Sequence, residues 1–238
     1  MSQKMQNISQ ERAMTYQPEV QDADTDFIAS QMKRQPDSAS VAGFVPGPGI
    51  ARLELKFDIQ LLREALEECL RREAFMGDMQ GQGFAALPLT QRPGQTEWTA
   101  NDLSGRYWLR GDDRYVEEPR EYLVPEVDFS EFNPKFVGTY FEQVHAELCR
   151  RFPIGRTRIL SKGLYNCNSW HRDPEPRLHI PIVSNPGSLF IVNHHVTHLP
   201  ADGSVYFTDT RGYHTALNGG ETQRVHIVAA LAYEQVQE

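Results

Sequence analysis

The sequence predicts a mainly β protein with flanking helices, folded as a double-stranded β-helix of the jelly-roll, cupin-like class. Short runs rich in β-branched and aromatic residues, separated by turns, recur from about residue 156 to residue 234 with no helical pattern between them. Two amphipathic helical patterns precede this region instead of alternating with its strands. That order favours a jelly roll or sandwich over a βαβ fold.

The first 48 residues are polar and end in VPGPGI, a stretch that interrupts regular structure. We therefore expect residues 1–48 to form an extended or mobile N-terminal arm. Residues 49–238 are expected to form a single domain, because a chain of 238 residues buries one substantial core.

Two helices are predicted, near residues 58–76 and 134–151. Asp58 can cap the first helix, and its apolar residues form one stripe, Leu62, Ala65, Leu66, Cys69 and Leu70. Pro134 suits the first turn of the second helix, whose apolar side consists of Val137, Phe141, Val144 and Leu148. Both helices should pack against a sheet of the jelly roll, and the region between them should form short strands and loops.

Composition narrows the class of partner. The net charge of -8 and the pI near 5.5 argue against a general nucleic-acid or anionic-membrane surface, which needs clustered Lys and Arg. Cys69, Cys149 and Cys167 have no metal-finger spacing and are odd in number, which favours a reducing compartment. The N-terminus has no apolar leader and no run of apolar residues is long enough to span a bilayer, so a cytoplasmic protein is expected.

The segment SWHRDPEPRLHIPIV carries the candidate metal ligands. His171 and Asp173 are two positions apart, so a strand places both side chains on one face. His214, in a later strand, can supply a third ligand. Two histidines and one carboxylate leave coordination positions open, which suits a catalytic iron(II), whereas structural zinc favours four closed ligands.

Arg224 follows His214 by ten residues and opens the apolar run RVHIVAALAY. An antiparallel pair formed by these two strands, with LNGGE as its hairpin turn, can bring the Arg224 guanidinium near the metal. A buried guanidinium needs a carboxylate partner, and a dicarboxylic keto acid can provide it. Taken alone, an arginine that opens a strand is more often a solvated edge residue.

These residues resemble the iron(II)- and 2-oxoglutarate-dependent oxygenases, and among them the aspartyl/asparaginyl β-hydroxylase-like branch that includes bacterial proline hydroxylases. The resemblance covers roughly the last 90 residues, through HRD, RLH and HTALNGGETQR. It implies that His171, Asp173 and His214 bind iron and that Arg224 binds the distal carboxylate of 2-oxoglutarate. Arg177 and His179 would lie near the chelating end of that cosubstrate or near the substrate carboxylate.

The resemblance implies a dioxygenase that uses iron(II), 2-oxoglutarate and O2 to hydroxylate a small, amino-acid-like molecule. Aspartyl hydroxylases of the branch lack the carboxylate ligand, whereas Asp173 is present, which favours a free amino acid or a small derivative as substrate. Two alternatives remain: hydroxylation of an aspartyl or asparaginyl side chain within a protein, and a cupin-like metal-binding module or enzyme that uses no 2-oxoglutarate. An inactive relative that acts as an interaction domain is disfavoured by the intact triad.

Two further groups are candidates for contacts around the site. SGRYWLRGDDR offers Arg106, Tyr107, Trp108 and Arg110 as substrate contacts, although an ordinary hairpin is the slightly favoured interpretation. The histidine-rich NHHVTHL contains His194, His195 and His198. However, His194 and His195 face opposite sides of a strand, and no nearby acid completes a zincin pattern. A turn that lines the mouth of the pocket is the preferred interpretation of NHHVTHL.

Overall fold

The computed structural model describes residues 16–34, 44–77, 84–111, 114–117 and 123–232. The helices are α1 (Ala23–Met32), α2 (Ile59–Arg72), α3 (Ala100–Leu103) and α4 (Tyr140–Arg151). The strands are β1 (Ile50–Lys56), β2 (Phe84–Pro88), β3 (Thr90–Gln91), β4 (Trp108–Gly111), β5 (Arg114–Glu117), β6 (Glu131–Phe132), β7 (Ile154–Lys162), β8 (Asn166–Cys167), β9 (His171–Arg172), β10 (Arg177–Val183), β11 (Ser188–Val192), β12 (His195–His198), β13 (Ser204–Thr208), β14 (His214–Asn218) and β15 (Arg224–Leu231).

Two antiparallel sheets form the body of the fold. The major sheet has the order β1-β13-β10-β15-β7-β2, and the minor sheet has the order β12-β11-β14-β9-β4-β5, with β8 paired to β14. A two-stranded β3-β6 ribbon lies apart from them. Consecutive strands β13, β14 and β15 alternate between the two sheets, which is the jelly-roll arrangement that the sequence predicts.

The central strands of the major sheet divide their side chains between two environments. A large apolar core contains residues of α2 and α4 and alternate residues of β10 and β15. The two strands contribute, among others, Leu178, Ile180, Val225 and Ile227. The intervening residues of both strands point to the opposite side, where the minor-sheet residue Phe190 lies 4.8 Å from His179 between ring centroids. We call the space between the two sheets the chamber.

The N-terminal segment differs from the arm that the sequence suggests. Helix α1 begins after Asp22, whose side chain accepts a hydrogen bond from the backbone N–H of Thr25, and it buries Ile28 and Met32 in the apolar core. The Asp24 carboxylate accepts hydrogen bonds from the backbone of β1, at 2.8 and 2.7 Å. Few apolar residues suffice for this docking because capping and backbone contacts assist it. Residues 1–15 and 35–43 lie outside the described residues.

A buried ion pair ties α1 to the segment that precedes β14. The Arg211 guanidinium donates to both carboxylate oxygens of Asp209, at 2.6 and 3.0 Å, and both side chains are fully buried. Arg211 also donates to the backbone carbonyls of Gln31 and Arg34, at and just after the end of α1. The ring of Phe44 covers this guanidinium, with the centroid 4.5 Å from Cζ.

Both predicted helices are present, with shorter bounds. Helix α2 ends at Arg72, because Glu73 adopts an extended conformation with φ of -152°. Pro134–Phe136 form a 3-10 turn separate from α4, and Gly138 between them has φ of 85°, a value that glycine adopts without strain. The expected pairing of β14 with β15 is wrong: these strands lie in different sheets, and LNGGE crosses from one sheet to the other. Their side chains face each other across the chamber instead of lying side by side.

Candidate metal centre and anion site

The pairing of β9 with β14 assembles the predicted triad. His171 and His214 are direct register partners, and their ring centroids lie 4.1 Å apart. Asp173 follows β9, and its Oδ2 lies 3.5 Å from His214 Nε2. One ligand atom from each of the three residues lies within 4.8 Å of the others. The structure therefore brings together the three side chains that the sequence singled out.

Backbone carbonyls orient both imidazoles. His171 Nδ1 lies 2.7 Å from the Ser169 carbonyl oxygen, and His214 Nδ1 lies 3.1 Å from that of Gly212. A carbonyl only accepts, so each Nδ1 carries the proton and each Nε2 keeps a lone pair. Burial, together with the His171 ring, lowers the pKa of His214 to about 3, so this imidazole stays neutral and can bind a metal ion.

A buried arginine holds the acidic ligand. Arg177 Nε donates to Asp173 Oδ2 at 2.8 Å, and its Nη2 donates to Glu175 Oε1 at 3.1 Å. Burial alone would raise the pKa of Asp173, but the Arg177 charge and the two histidines lower it below its ordinary value. Burial, with the nearby Glu126, raises the pKa of Glu175 to about 8. Arg177 thus fixes the Asp173 carboxylate in its charged form.

Arg224 is a buried cation without an acidic partner among the described residues. It is 4% exposed, and its Nη2 donates to His226 Nδ1 at 2.9 Å. Burial lowers the pKa of Arg224 to about 10, so it remains charged at neutral pH. Lys162 lies opposite on β7 and is also buried, and its Nζ contacts the side-chain oxygens of Asn166 and Asn168. This end of the chamber therefore holds two positive charges and is suited to bind an anion.

Phe190 connects this anion site with the metal ligands. Its ring stacks on His214 with centroids 6.1 Å apart, and the Arg224 Cζ lies 5.9 Å from the same ring. His179 packs against Phe190 as well, and His179 Nδ1 lies 3.4 Å from His226 Nδ1. Burial lowers the pKa values of His179 and His226 well below the ordinary value, so both are neutral. Triad and Arg224 thus line one chamber, with a single aromatic ring between them.

Comparison with known proteins supports the fold. No family model matches the chain, and no curated protein matches it. An oxidoreductase of the 2OG-Fe(II) oxygenase family from Burkholderia pseudomallei matches with 14% identity, 89% of this chain and 91% of that chain covered, and a TM-score of 0.50. The chain shares the fold of that oxidoreductase. The predicted double-stranded β-helix is confirmed.

Two prolyl hydroxylases are also similar in structure. One from Pseudomonas putida, a prolyl-4-hydroxylase, matches with 12% identity, covering 90% of this chain and 98% of that chain at a TM-score of 0.45. One from Trichoplax adhaerens, in complex with a hypoxia inducible factor peptide fragment, matches with 9% identity, covering 98% of this chain and 94% of that chain at a TM-score of 0.47.

None of the helices among the described residues has the length and apolar character needed to cross a bilayer.

The predicted substrate contacts lie beside the metal ligands. Strand β4 pairs with β9, and the Tyr107 ring packs edge-on against His171 with centroids 5.6 Å apart. Arg110 donates to the Tyr213 hydroxyl at 3.1 Å, whereas Trp108 is buried beneath the Arg106 guanidinium. Their role as substrate contacts remains a prediction. Tyr107 has the nearest approach to a ligand and was named with them on sequence grounds.

The histidine-rich segment does not join the triad, although His195 lies opposite Val192, which lies opposite His214. His195 and His198 belong to β12, which pairs with β11 at the end of the minor sheet, and His194 and His195 stack with their centroids 4.3 Å apart. Among the described residues, the cluster of metal-binding side chains consists of His171, Asp173 and His214 alone.

Sequence reasoning missed the charged residues that β7 contributes to the chamber. Arg156, Arg158 and Lys162 are at most 3% exposed, although their spacing looks like the solvated face of an ordinary strand. The signal lay in RTRILSK, where charges recur at even spacing on one side of a strand that runs through the middle of the fold.

Proposed function

We propose that this protein is an iron(II)- and 2-oxoglutarate-dependent dioxygenase. The observation that carries the proposal is the buried Arg224 guanidinium, which has no carboxylate partner among the described residues and shares a chamber with an open two-histidine, one-carboxylate site. A hydrolytic metal site has no need of such a cation. A dicarboxylate that chelates the metal at one end supplies both the missing ligands and the missing countercharge.

The residues present fit a bound iron(II). His171 and His214 each leave Nε2 free, and Asp173 supplies a charged carboxylate, so the donor set is that of a facial triad. Bound iron would supply the redox chemistry that couples oxidation of 2-oxoglutarate by O2, to succinate and CO2, with conversion of a substrate C–H bond to C–OH.

The chain itself positions the reactants and excludes water. Arg224 would hold the distal carboxylate of 2-oxoglutarate through its free donors, while His226 accepts from one of its nitrogens and orients the guanidinium. Arg177 holds the Asp173 carboxylate in the orientation that the metal requires. Phe190 and the neutral rings of His179 and His226 restrict the volume around both ends of the cosubstrate.

For the substrate we propose a free amino acid or a small amino-acid derivative. The intact Asp173 ligand and the burial of the charged residues that line the chamber support this class. The alternative is an aspartyl or asparaginyl side chain within a protein. Membership of the aspartyl/asparaginyl β-hydroxylase-like branch and a cytoplasmic location stay predictions.

An anaerobic titration of the metal-free protein with iron(II) and then 2-oxoglutarate tests the proposal. We expect a saturable visible charge-transfer band from the chelated keto acid. In Arg224→Met the dissociation constant for 2-oxoglutarate should rise at least about 30-fold, because truncating one partner of a buried charge pair costs about 2 kcal/mol or more. Arg63→Met is the matched control. It makes the same substitution on the outer surface of α2 and should leave the titration unchanged.

Two results would contradict the proposal. Iron binding without any band in the wild-type protein would favour a cupin-like enzyme or module that makes no use of 2-oxoglutarate. Iron binding that survives unchanged in Asp173→Ala would place the metal elsewhere.

A further inference from the structure

Arg158 is a second buried cation that the proposed function leaves unused. In the register of the major sheet it lies opposite Val228 of β15, and Val228 lies opposite His179 of β10. Cross-strand partners in an antiparallel sheet project from the same face, so Arg158 points to the chamber as His179 does. It is 3% exposed.

One edge of the Arg158 guanidinium has no partner among the described residues. Its Nη1 donates to the Leu103 carbonyl, but Nε is buried without a hydrogen-bond acceptor and Nη2 makes no contact with any described acceptor. Nε and Nη2 together form the fork that binds a carboxylate side-on. Burial, with the nearby Arg177 and Arg156, lowers the pKa of Arg158 to about 9, so it remains charged at neutral pH.

The same fork is filled on two other buried arginines of this chain, and a third has an acidic partner. Arg211 uses Nε and Nη2 to hold the Asp209 carboxylate, and Arg177 uses them for Asp173 and Glu175. Arg156, two residues before Arg158 on β7, has Glu126 as its ion-pair partner, with Nε and Oε2 3.3 Å apart. Arg158 is as buried as these three arginines but has no ion-pair partner in the part of the chain that the structure describes.

The position of Arg158 differs from that of the cosubstrate's distal carboxylate. Arg224 lies opposite Lys162, whereas Arg158 lies opposite a residue four positions further along β15, roughly 13 Å away at the rise of a strand. Arg158 lies opposite Val228, two residues from Ala230, which is the register partner of Arg177, and Arg177 in turn holds Asp173. The open fork therefore lies at the metal end of the chamber, where a substrate must bind for its C–H bond to react.

We propose that Arg158 binds a carboxylate of the substrate. This inference rests on the proposed function and narrows its substrate class to molecules that bring their own carboxylate, such as a free amino acid. The Leu103 carbonyl fixes the plane of the guanidinium by accepting from Nη1, so the Nε–Nη2 edge presents two parallel donors. A backbone amide in the middle of a polypeptide lacks the charge that Arg158 requires.

Acetate is the probe for this site, and glutarate is the probe for the site at Arg224. The full-length, metal-free protein is first saturated with glutarate, and binding of acetate is then followed by saturation-transfer NMR of its methyl group. We expect saturable acetate binding that weakens about tenfold or more in Arg158→Gln. Arg63→Gln is the control, because Arg63 also contacts backbone carbonyls but lies on the outer surface of α2.

Arg158→Lys keeps the charge without the fork and decides the matter if Arg158→Gln does not fold. Its affinity for acetate should fall between those of the wild type and Arg158→Gln. Equal acetate affinity in the wild type and the Arg158 variants, or no saturable binding in the wild type, would overturn the inference.

Glutarate separates this failure from failure of the proposed function. The cosubstrate assignment fails if glutarate does not raise the unfolding temperature of the wild type and if its binding is no weaker in Arg224→Met. The acetate titration without glutarate then still decides whether Arg158 binds a carboxylate.

Discussion

The two faces of the major sheet are both buried, yet they differ in nearly every chemical respect. Toward α2 and α4, strands β10 and β15 present side chains such as Ile180 and Ile227, each 1% exposed. Toward the chamber, the intervening positions hold Arg177 and Arg224, 8% and 4% exposed. Successive side chains of one strand thus point in turn into the apolar core and into the chamber. In an ordinary half-buried strand they would point in turn into a core and into solvent.

This difference assigns stability to one face and binding to the other. Apolar burial against the helices lowers the free energy of the folded state, roughly in proportion to the area removed from water. Charged groups on the chamber face lose hydration, and those without a partner are a cost that folding must offset. Such groups are retained at sites where a ligand supplies the missing charge.

The largest expected effect on folding comes from the helix face. Ile227→Ala should lower the free energy of unfolding by about 2–5 kcal/mol, because it leaves a cavity in a closely packed core. Arg224→Met, three residues away on the chamber face, should leave the stability similar or raise it, because it removes a buried charge that has no acidic partner among the described residues. Urea unfolding measures both, and an equal loss in the two variants would break the comparison.

A smaller effect is expected where the chamber face supports a metal ligand. Arg177→Met should weaken metal binding by about 10- to 100-fold, since residues that orient a ligand contribute on that scale. Arg177→Lys should show part of the same loss, because it keeps the charge but not the fork between Asp173 and Glu175. Calorimetric titration with manganese(II) is the measurement. Tighter metal binding in Arg177→Met would mean that repulsion of the cation outweighs orientation.

The smallest effect concerns a titratable group on the helix side. His145 of α4 packs against the Phe132 ring, and burial lowers its pKa to about 4. In the unfolded chain His145 takes up a proton near pH 6.5, whereas in the folded chain it does so only near pH 4. The free energy of unfolding therefore decreases as the pH is lowered through that window. The loss between pH 7 and pH 5 should be about 2 kcal/mol.

His145→Leu should flatten this part of the stability profile, measured by urea unfolding at each pH. His194→Leu, at an exposed position, controls for removal of a histidine. An unchanged slope in His145→Leu would show that other groups set the acid dependence.

The sequence was most informative where spacing alone decides geometry. His171 and Asp173 are two positions apart, so a strand places them on one face. His214, in a later strand, was predicted as the third ligand, and the three side chains lie together in the structure. The jelly roll followed from short strands without intervening helices. These features depend on local periodicity, which a sequence shows directly.

Features that depend on long-range packing were not visible. Helix α1 has few apolar residues, so its docking through Asp24 to the backbone of β1 left no periodic signal. The placement of β14 and β15 in different sheets depends on topology and not on the length of the turn between them. The burial of Arg158 and Lys162 also depends on long-range packing, because charge in a strand usually means water and only the second sheet turns that face into an interior.

The contact between Arg211 and α1 has a consequence for where the folded unit that carries the triad begins. The carbonyls of Gln31 and Arg34 accept from Arg211, and the neighbouring Thr210 carbonyl accepts from the backbone N–H of Asp173 at 2.9 Å. A fragment that starts after residue 34 would remove both carbonyl acceptors of Arg211 Nη1, one residue from a segment that fixes a metal ligand. The N-terminal residues, although remote in sequence from the triad, thus belong to the smallest unit in which the metal ligands keep their geometry.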